Sequence, residues 1–404
     1  MTSDNDVRER LSAVEAPPTA LRVETLVAQG RRRALRRRAV QAGCGVALAA
    51  GLLIGAPTLL PRAEGPALDQ AGAAPGSSAE AGPREPVADP RLPTLRCAAT
   101  RLPVPAGMTS VQPAGVDPSG RYVLGNDTKM SAASTPAGKV SGVGDANPIL
   151  WTDGVPQALP KLGDWVSADA VNADGVVVAL SGRKDKWSDS VLRYIDGVPT
   201  KLRPTAGKWT FRSVDINARG DIIVNAIQQG DTDERVDAVM LWPAGSATAT
   251  KLPLPTHAEV QDITDTGRLV GIKTTGQGVE GLSSYSWDQQ GKGKQLAEPS
   301  GEHGAVSVAR GDWATGNLWP SGAVARWNLT TGGVTELPVD APANGINAKG
   351  SIASSGTVLR DDANVELGLA DGVKGEPLHI ADNGLVVGSP FDGSSGVVTW
   401  RCDG

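Results

Sequence analysis

Few side chains in this sequence are of the kinds that carry out acid–base, nucleophilic or metal chemistry. The His and Cys residues are His257, His303, His379, Cys44, Cys97 and Cys402. None of them lies in a HExxH or other His/Cys metal-ligand pattern. No GxSxG elbow, P-loop or dinucleotide-binding GxGxxG is present either. The sequence therefore predicts no catalytic residue, no metal site and no cofactor.

One arrangement of aromatic and imidazole side chains does recur. Trp165, Trp209, His257 and His303 each stand six to eight residues before a turn that repeats along the chain. If the loops that carry them border a central channel, they line its mouth, where ligands commonly bind. Their rings would stack on a sugar, a peptide or a polymer end. The alternative is that they cap the core between repeated units.

The repeating turn has the form apolar, Asn or Asp, two residues, Gly, followed by a β-rich run. Clear copies begin at Val171-Asn172, Ile216-Asn217 and Ile346-Asn347, and seven copies follow residue 95. The Asn or Asp and the Gly make a tight turn between two strands, with the Gly at positive φ. Each copy thus predicts a β-hairpin.

A third strand ending in an aromatic and a fourth ending in Leu or Leu-Pro follow most of these hairpins. Examples are Leu150-Trp151 with Leu159-Pro160, and Leu241-Trp242 with Leu252-Pro253. Four antiparallel strands per unit and a period of 34 to 55 residues are typical of propeller blades. The predicted fold is all-β: a seven-bladed β-propeller of four-stranded antiparallel blades, with the third-strand aromatics packed between blades.

These residues resemble HAF-type repeats, which are short bacterial propeller motifs with an Ile-Asn-x-x-Gly turn, a Val-Val-Gly strand and a later Leu-Trp-x-x-Gly. The best match is Val171 to Ala179, and Asp382 to Gly388 is next. The His-Ala-Phe core of the motif is missing. The resemblance implies a propeller like those of actinobacterial membrane-anchored proteins, and it implies no particular activity.

The last repeat lacks a fourth strand, since only four residues follow Trp400, with which its third strand ends. Residues Cys97 to Pro103 have a fourth strand's Leu-Pro ending without the strands that should precede it. We therefore expect the N-terminal strand to complete the C-terminal blade, which removes an open sheet edge. This closure places Cys97 beside Cys402 and predicts a disulfide between them outside the cytoplasm.

The segment before the repeats divides into three parts. Residues 1–38 form an Arg-rich tail that resembles juxtamembrane tails of actinobacterial membrane proteins, and 39–61 are predicted to form a single transmembrane helix. The Arg cluster before this helix keeps the N-terminus cytoplasmic. Residues 62–95 are a disordered Ala/Gly/Pro stalk, and 96–404 are the propeller. Export by a twin-arginine signal at Arg37-Arg38, followed by secretion, is the alternative.

The charge distribution bears on the partners of the propeller. Residues 1–40 carry nine Arg and five acidic residues, so the formal charge of −5 leaves −9 for the rest. Nucleic acid is thus not an expected partner. The predicted function is a membrane-anchored extracytoplasmic binding module, monomeric by default, for an unknown extracytoplasmic protein, peptide or glycan. The alternative is an extracytoplasmic enzyme, a lyase or glycan hydrolase, whose pKa-shifted carboxylates or His303 converge in the channel.

Overall fold

The computed structural model describes residues 91–129, 145–184, 186–230, 235–276, 281–369, 374–391 and 394–402, and contains no α-helix in these ranges. The strands are β1 (Thr94–Arg101), β2 (Val111–Val116), β3 (Tyr122–Lys129), β4 (Asp145–Thr152), β5 (Val155–Ala158), β6 (Trp165–Val171), β7 (Val177–Gly182), β8 (Ser190–Ile195), β9 (Val198–Lys201), β10 (Trp209–Ile216), β11 (Ile222–Gln228), β12 (Ala238–Trp242), β13 (Thr250–Lys251), β14 (Ala258–Ile263), β15 (Leu269–Thr274), β16 (Leu282–Trp287), β17 (Gly293–Gln295), β18 (His303–Arg310), β19 (Trp313–Trp319), β20 (Ala323–Asn328), β21 (Val334–Asp340), β22 (Ala343–Ile346), β23 (Ile352–Ser354), β24 (Thr357–Leu359), β25 (Asn364–Leu367), β26 (Gly375–Ile380), β27 (Val386–Pro390) and β28 (Val398–Cys402).

Consecutive strands pair into four-stranded antiparallel sheets. Five sheets follow the order β2-β3-β4-β5, β6-β7-β8-β9, β10-β11-β12-β13, β14-β15-β16-β17 and β18-β19-β20-β21, and an eight-stranded sheet follows β22-β23-β24-β25-β1-β28-β27-β26. The first strands β2, β6, β10, β14, β18, β22 and β26 contact one another in succession, and β26 contacts β2. Sheets arranged radially around a ring of first strands form a β-propeller, as the repeat predicts.

Strand β1 closes the ring. It pairs antiparallel with β28, with Cys97 opposite Cys402, and parallel with β25. The predicted disulfide between Cys97 and Cys402 is present and spans a sequence separation of 305. The N-terminal strand therefore supplies the outermost strand of the last blade. It begins at Thr94, two residues before the boundary predicted for the propeller.

The repeating turns join neighbouring blades as well as neighbouring strands. The Asn172 side-chain oxygen accepts hydrogen bonds from the backbone N–H groups of Asp174 and Val176, at 3.1 and 3.0 Å, and Gly175 has a φ of 75°. The Asn172 amide donates to the carbonyl oxygen of Asn217 in the next turn, and Asn217 donates to that of Thr264. The side chain of one Asn thus accepts the backbone N–H groups of its own turn and links that turn to the next blade.

The third-strand aromatics lie between blades. Trp151, Trp242, Trp287, Trp327 and Trp400 are at most 2% exposed. The Trp242 indole donates to the Arg203 carbonyl oxygen at 3.0 Å, just after the fourth strand of the preceding blade. Trp151, Trp327 and Trp400 make equivalent bonds, to Pro103, Ala297 and Gly368. The apolar core is therefore a series of interfaces between adjacent sheets, as predicted.

The predicted tail 1–38, the transmembrane helix 39–61 and most of the stalk 62–95 lie outside the described residues. Among the residues that are described, no helix has the length and hydrophobicity needed to cross a bilayer.

Candidate functional site

The four side chains predicted at the channel mouth lie where the chain enters its first strands. Trp165 and Trp209 begin β6 and β10, His303 begins β18, and His257 directly precedes β14. Trp165 is only 3% exposed, and its indole donates to the Arg183 carbonyl oxygen at 3.1 Å. Its position fits the packing alternative.

The other three members of this set are half-buried. The Trp209 indole donates to the Thr205 carbonyl oxygen at 3.2 Å. His257 has a left-handed backbone, with a φ of 62°, and its buried Nδ1 has no hydrogen-bond partner. His303 faces Trp319 across the β18/β19 ladder. A binding role for Trp209, His257 and His303 stays a prediction.

Bulges in the first strands determine which side chains face the channel. The pairing of β6 with β7 shifts between Ala168 and Ala170, and that of β14 with β15 shifts between Val260 and Asp262. Every other first strand has a similar shift. A bulge places two successive side chains opposite one partner residue and redirects them. Asp169, Arg212 and Gln261 lie within such shifts, and their side chains are half-buried.

Asp215 on β10 and Asp262 on β14 form a carboxyl pair. Burial and the charge of Asp215 raise the pKa of Asp262 well above its usual range, and burial also raises the pKa of Asp215. The two carboxyl groups share a hydrogen bond, which requires one of them to be protonated. Asp215 accepts the Ile263 backbone N–H at 3.1 Å, and Asp262 accepts that of Ala309 at 2.8 Å. The pair consequently also ties three blades together.

Three further titratable groups on first strands have pKa values shifted from the ordinary ones. Burial raises the pKa of Asp169 on β6 to about 7, and it raises the pKa of Glu376 on β26. Burial lowers the pKa of His379 to about 4, and its Nε2 has no hydrogen-bond partner. A carboxyl group that keeps its proton can both donate and accept hydrogen bonds, as in the Asp215–Asp262 pair.

A cluster at the same end of the channel as Trp209 was missed by the sequence analysis. It consists of Trp187, Arg212, Glu259 and Gln261, and we call it the rim cluster. The Arg212 guanidinium lies 5.0 Å from the centre of the Trp187 ring, and Gln261 Nε2 donates to Glu259 Oε1 at 3.2 Å. Burial raises the pKa of Glu259, and the positive charge of Arg212 partly opposes this rise. The sequence did contain a signal for three of its members, because Arg212, Glu259 and Gln261 are polar residues on otherwise largely apolar first strands.

A pocket of about 330 Å³ lies away from this cluster, at the seam between the closing blade and the β2–β5 blade. Its lining includes Thr100, Leu102, Arg121 and Arg401. Arg121 forms an ion pair with Asp153 at 3.3 Å, and both side chains are largely exposed. The charged groups of this pocket are solvated, whereas Arg212, Glu259 and Gln261 are half-buried, so the rim cluster is the stronger candidate.

Within the described ranges, no group of three or more His, Cys, Asp and Glu residues is arranged to hold a metal ion.

Known structures share the architecture. A virginiamycin B lyase from Staphylococcus aureus superposes with a TM-score of 0.51 at 13% identity, over 76% of this chain and 99% of that chain. The fold they share is the β-propeller. A gluconolactonase from Xanthomonas campestris gives 0.41 at 11% identity, over 77% of this chain and 98% of its own. The propeller domain of the Trilobed protease from Pyrococcus furiosus gives 0.47 at 10% identity, over 74% and 96%.

No protein-family model matches the sequence, and no curated protein matches it significantly. At identities this low the structural likeness establishes the fold alone, because one propeller architecture serves unrelated functions.

Proposed function

We propose that this protein is a membrane-anchored binding module. Its seven-bladed propeller stands on the extracytoplasmic side of the membrane, carried by the transmembrane segment 39–61 and the stalk 62–95, and takes a polar ligand at the mouth of its central channel. The count of seven is supported by the first strands that contact one another in succession and by the seven repeats in the sequence. The Arg cluster before residue 39 supports a cytoplasmic N-terminus, and the disulfide supports an oxidising compartment.

The observation that carries the binding function is the composition of the channel wall. Charged and amide side chains from neighbouring blades, including Arg212, Glu259, Gln261 and Asp169, lie half-buried on the first strands. Polar groups removed from water destabilise a fold unless they gain partners. Their convergence on one axis supports a site that recognises a polar ligand.

The binding function is tested with the full chain in nanodiscs as bait for cell-envelope extracts. We expect a component captured by the wild type to be lost with Arg212→Ala and kept with Arg219→Ala. Arg219 is a matched control because it is half-exposed, lies at the opposite end of β10 and pairs with Asp221. Capture that survives Arg212→Ala would refute the channel site.

The anchoring part has its own test. Carbonate-washed membranes should retain the full chain, and protease added to intact cells should cut within 62–95 and release a soluble propeller. Deleting 39–61 should move the protein out of the membrane fraction. Recovery of the full chain in the soluble cytosol would contradict the anchor.

A second candidate function is an extracytoplasmic enzyme, and the Asp215–Asp262 pair is the observation that favours it. Two carboxyl groups that share a proton, with Asp169 titrating near pH 7, can supply an acid and a base in one channel. The gluconolactonase and the lyase among the similar folds are consistent with chemistry on such a scaffold.

The enzyme is tested by incubating the captured component with the full chain and searching for products by mass spectrometry. Turnover that Asp215→Asn abolishes, while binding is unchanged, would favour the enzyme. Tight binding without products supports the binding module.

A further inference from the structure

We infer that the ligand at the channel mouth is an uncharged glycan, one sugar ring of which stacks on Trp187 while its hydroxyl groups bond to Arg212 and Glu259. This inference rests on the proposed function, and it assigns the ligand class and the side chains that select it.

Trp187 is the one exposed Trp of the ten, all of which lie in the described ranges. Its side chain is 42% exposed, whereas the others are buried or half-buried. It stands in the loop between β7 and β8, next to the first strand of the following blade. A large aromatic ring left in water beside polar groups is typical of a binding surface.

The backbone around Trp187 is fixed before any ligand arrives. The neighbouring Ser188 forms a β-bridge with Phe211, whose N–H donates to the Ser188 carbonyl oxygen at 3.0 Å. The Ser188 hydroxyl lies 3.1 Å from the Ser181 carbonyl oxygen and 3.2 Å from that of Ser190. The loop is thus bonded to both its own blade and the next. A preorganised ring loses little conformational freedom on binding.

The Trp187 ring contacts Arg212, and the residue is still 42% exposed. The Arg212 guanidinium lies 5.0 Å from the ring centre, a cation–π contact that fixes the orientation of both side chains. The exposed part of the ring can then accept the C–H face of a pyranose. Arg212 presents planar donors beside it, and Glu259 with its Gln261 partner presents acceptors and an amide. An apolar platform edged by donors and acceptors matches the alternating apolar and hydroxyl faces of a sugar.

The first strands offer an anionic ligand few positive charges. They carry five acidic residues and two arginines: Asp169, Asp215, Glu259, Asp262, Glu376, Arg212 and Arg310. Arg212 already attracts Glu259, and Arg310 lies 3.8 Å from Asp265. A polyanion would therefore meet little uncompensated positive charge there. An apolar peptide fits poorly too, because it would cover Arg212, Glu259 and Gln261 without offering them hydrogen-bond partners. A neutral glycan meets neither obstacle.

The test uses the full chain in detergent micelles and four probes: hexasaccharides of β-1,4-linked glucose and of β-1,4-linked N-acetylglucosamine, an anionic hexagalacturonate, and an unrelated hexapeptide. Titrations are followed by tryptophan fluorescence and calorimetry. We expect at least one neutral hexasaccharide to bind and the hexagalacturonate to bind at least about tenfold more weakly. Binding of only the hexagalacturonate or the peptide would overturn the inference.

Variants locate the contact. Trp187→Ala should weaken binding of the neutral hexasaccharide by about tenfold or more, as for other aromatic anchors. Trp187→Tyr keeps an aromatic platform and should restore most of the affinity. Phe391→Ala is the matched control, since Phe391 is 45% exposed in the corresponding loop after β27, and it should bind like the wild type. Unchanged urea midpoints establish that the variants are folded.

The results separate this inference from the proposed function. If neither neutral hexasaccharide binds while envelope capture still depends on Arg212, the glycan inference is wrong and the binding module stands. If hexasaccharide binding is the same in the wild type and Trp187→Ala, the stacking site is wrong. If envelope capture is independent of Arg212, the proposed function itself fails.

Discussion

Loss of the Cys97–Cys402 disulfide should lower the free energy of unfolding by several kcal/mol. The bond spans a separation of 305 residues and therefore closes nearly the whole propeller into one covalent loop. Chain entropy gives about 5 to 6 kcal/mol for such a loop at 25 °C. The measured loss should be about 2 to 5 kcal/mol, the range found on removing native disulfides, because β1 still pairs with both β25 and β28 when the bond is absent.

Urea unfolding of the full chain in detergent, followed by tryptophan fluorescence, measures this loss. A Cys44→Ser background leaves a single possible disulfide. Oxidised protein, the same protein under reductant, and the Cys97→Ser/Cys402→Ser variant are compared. The reduced protein and the double variant should unfold at the same, lower urea concentration.

The reasoning would be refuted by complete reduction that leaves the unfolding midpoint of the Cys44→Ser protein unchanged. Such a result would mean that the 305-residue loop does not restrict the unfolded chain. A midpoint change in the double variant without one in the reduced protein would instead assign the loss to the serines.

Three further predictions concern the channel and the blades. Because the pKa of Asp169 is raised to about 7 from the 3.8 of an exposed Asp, the native state binds a proton that the unfolded state loses between these pH values. Wild-type stability should therefore fall from pH 4.5 to 7.5, and urea midpoints of Asp169→Asn should fall less; an equal fall would contradict the assignment. A Cβ at Gly388 would overlap the backbone oxygen of Glu376, so Gly388→Ala should cost about 1 to 3 kcal/mol, whereas Gly368→Ala, in open space, should cost less in the same assay. Trp242→Phe removes the 3.0 Å indole bond to the preceding blade and should lower the free energy of unfolding by about 1 to 3 kcal/mol; an unchanged midpoint would argue against the inter-blade bond.

The architecture was predictable because its signals are local. The Asn172 turn needs only a side-chain acceptor and a Gly at positive φ a few residues on, and both are written in the sequence. The disulfide followed from a single topological deduction, that the incomplete last blade must borrow the N-terminal strand. Repetition then made each weak local signal stronger.

The candidate site was less predictable, because its members come from different blades. Asp215 and Asp262 meet because β10 and β14 are neighbours in the ring, and the bulge beside Asp262 leaves no clear mark in a short alternating pattern. Trp187 lies outside the aligned repeat positions, in a loop between the second and third strands. Trp165 is within the alignment, yet its ring is buried. The position of a residue in the repeat therefore predicted correctly which strand it lies on. It predicted less well whether its side chain is exposed or buried.

The placement of β1 has a mechanical consequence for a tethered domain. A pull on the chain ahead of Thr94 runs along the strand axis, so the ladders with β25 and β28 are loaded in shear and several hydrogen bonds resist together. Only Thr94, Leu95 and Arg96 can peel away before the force reaches the covalent bond at Cys97. Beyond that point tension passes through the disulfide directly into β28. The blade that joins the two ends of the chain therefore bears the load.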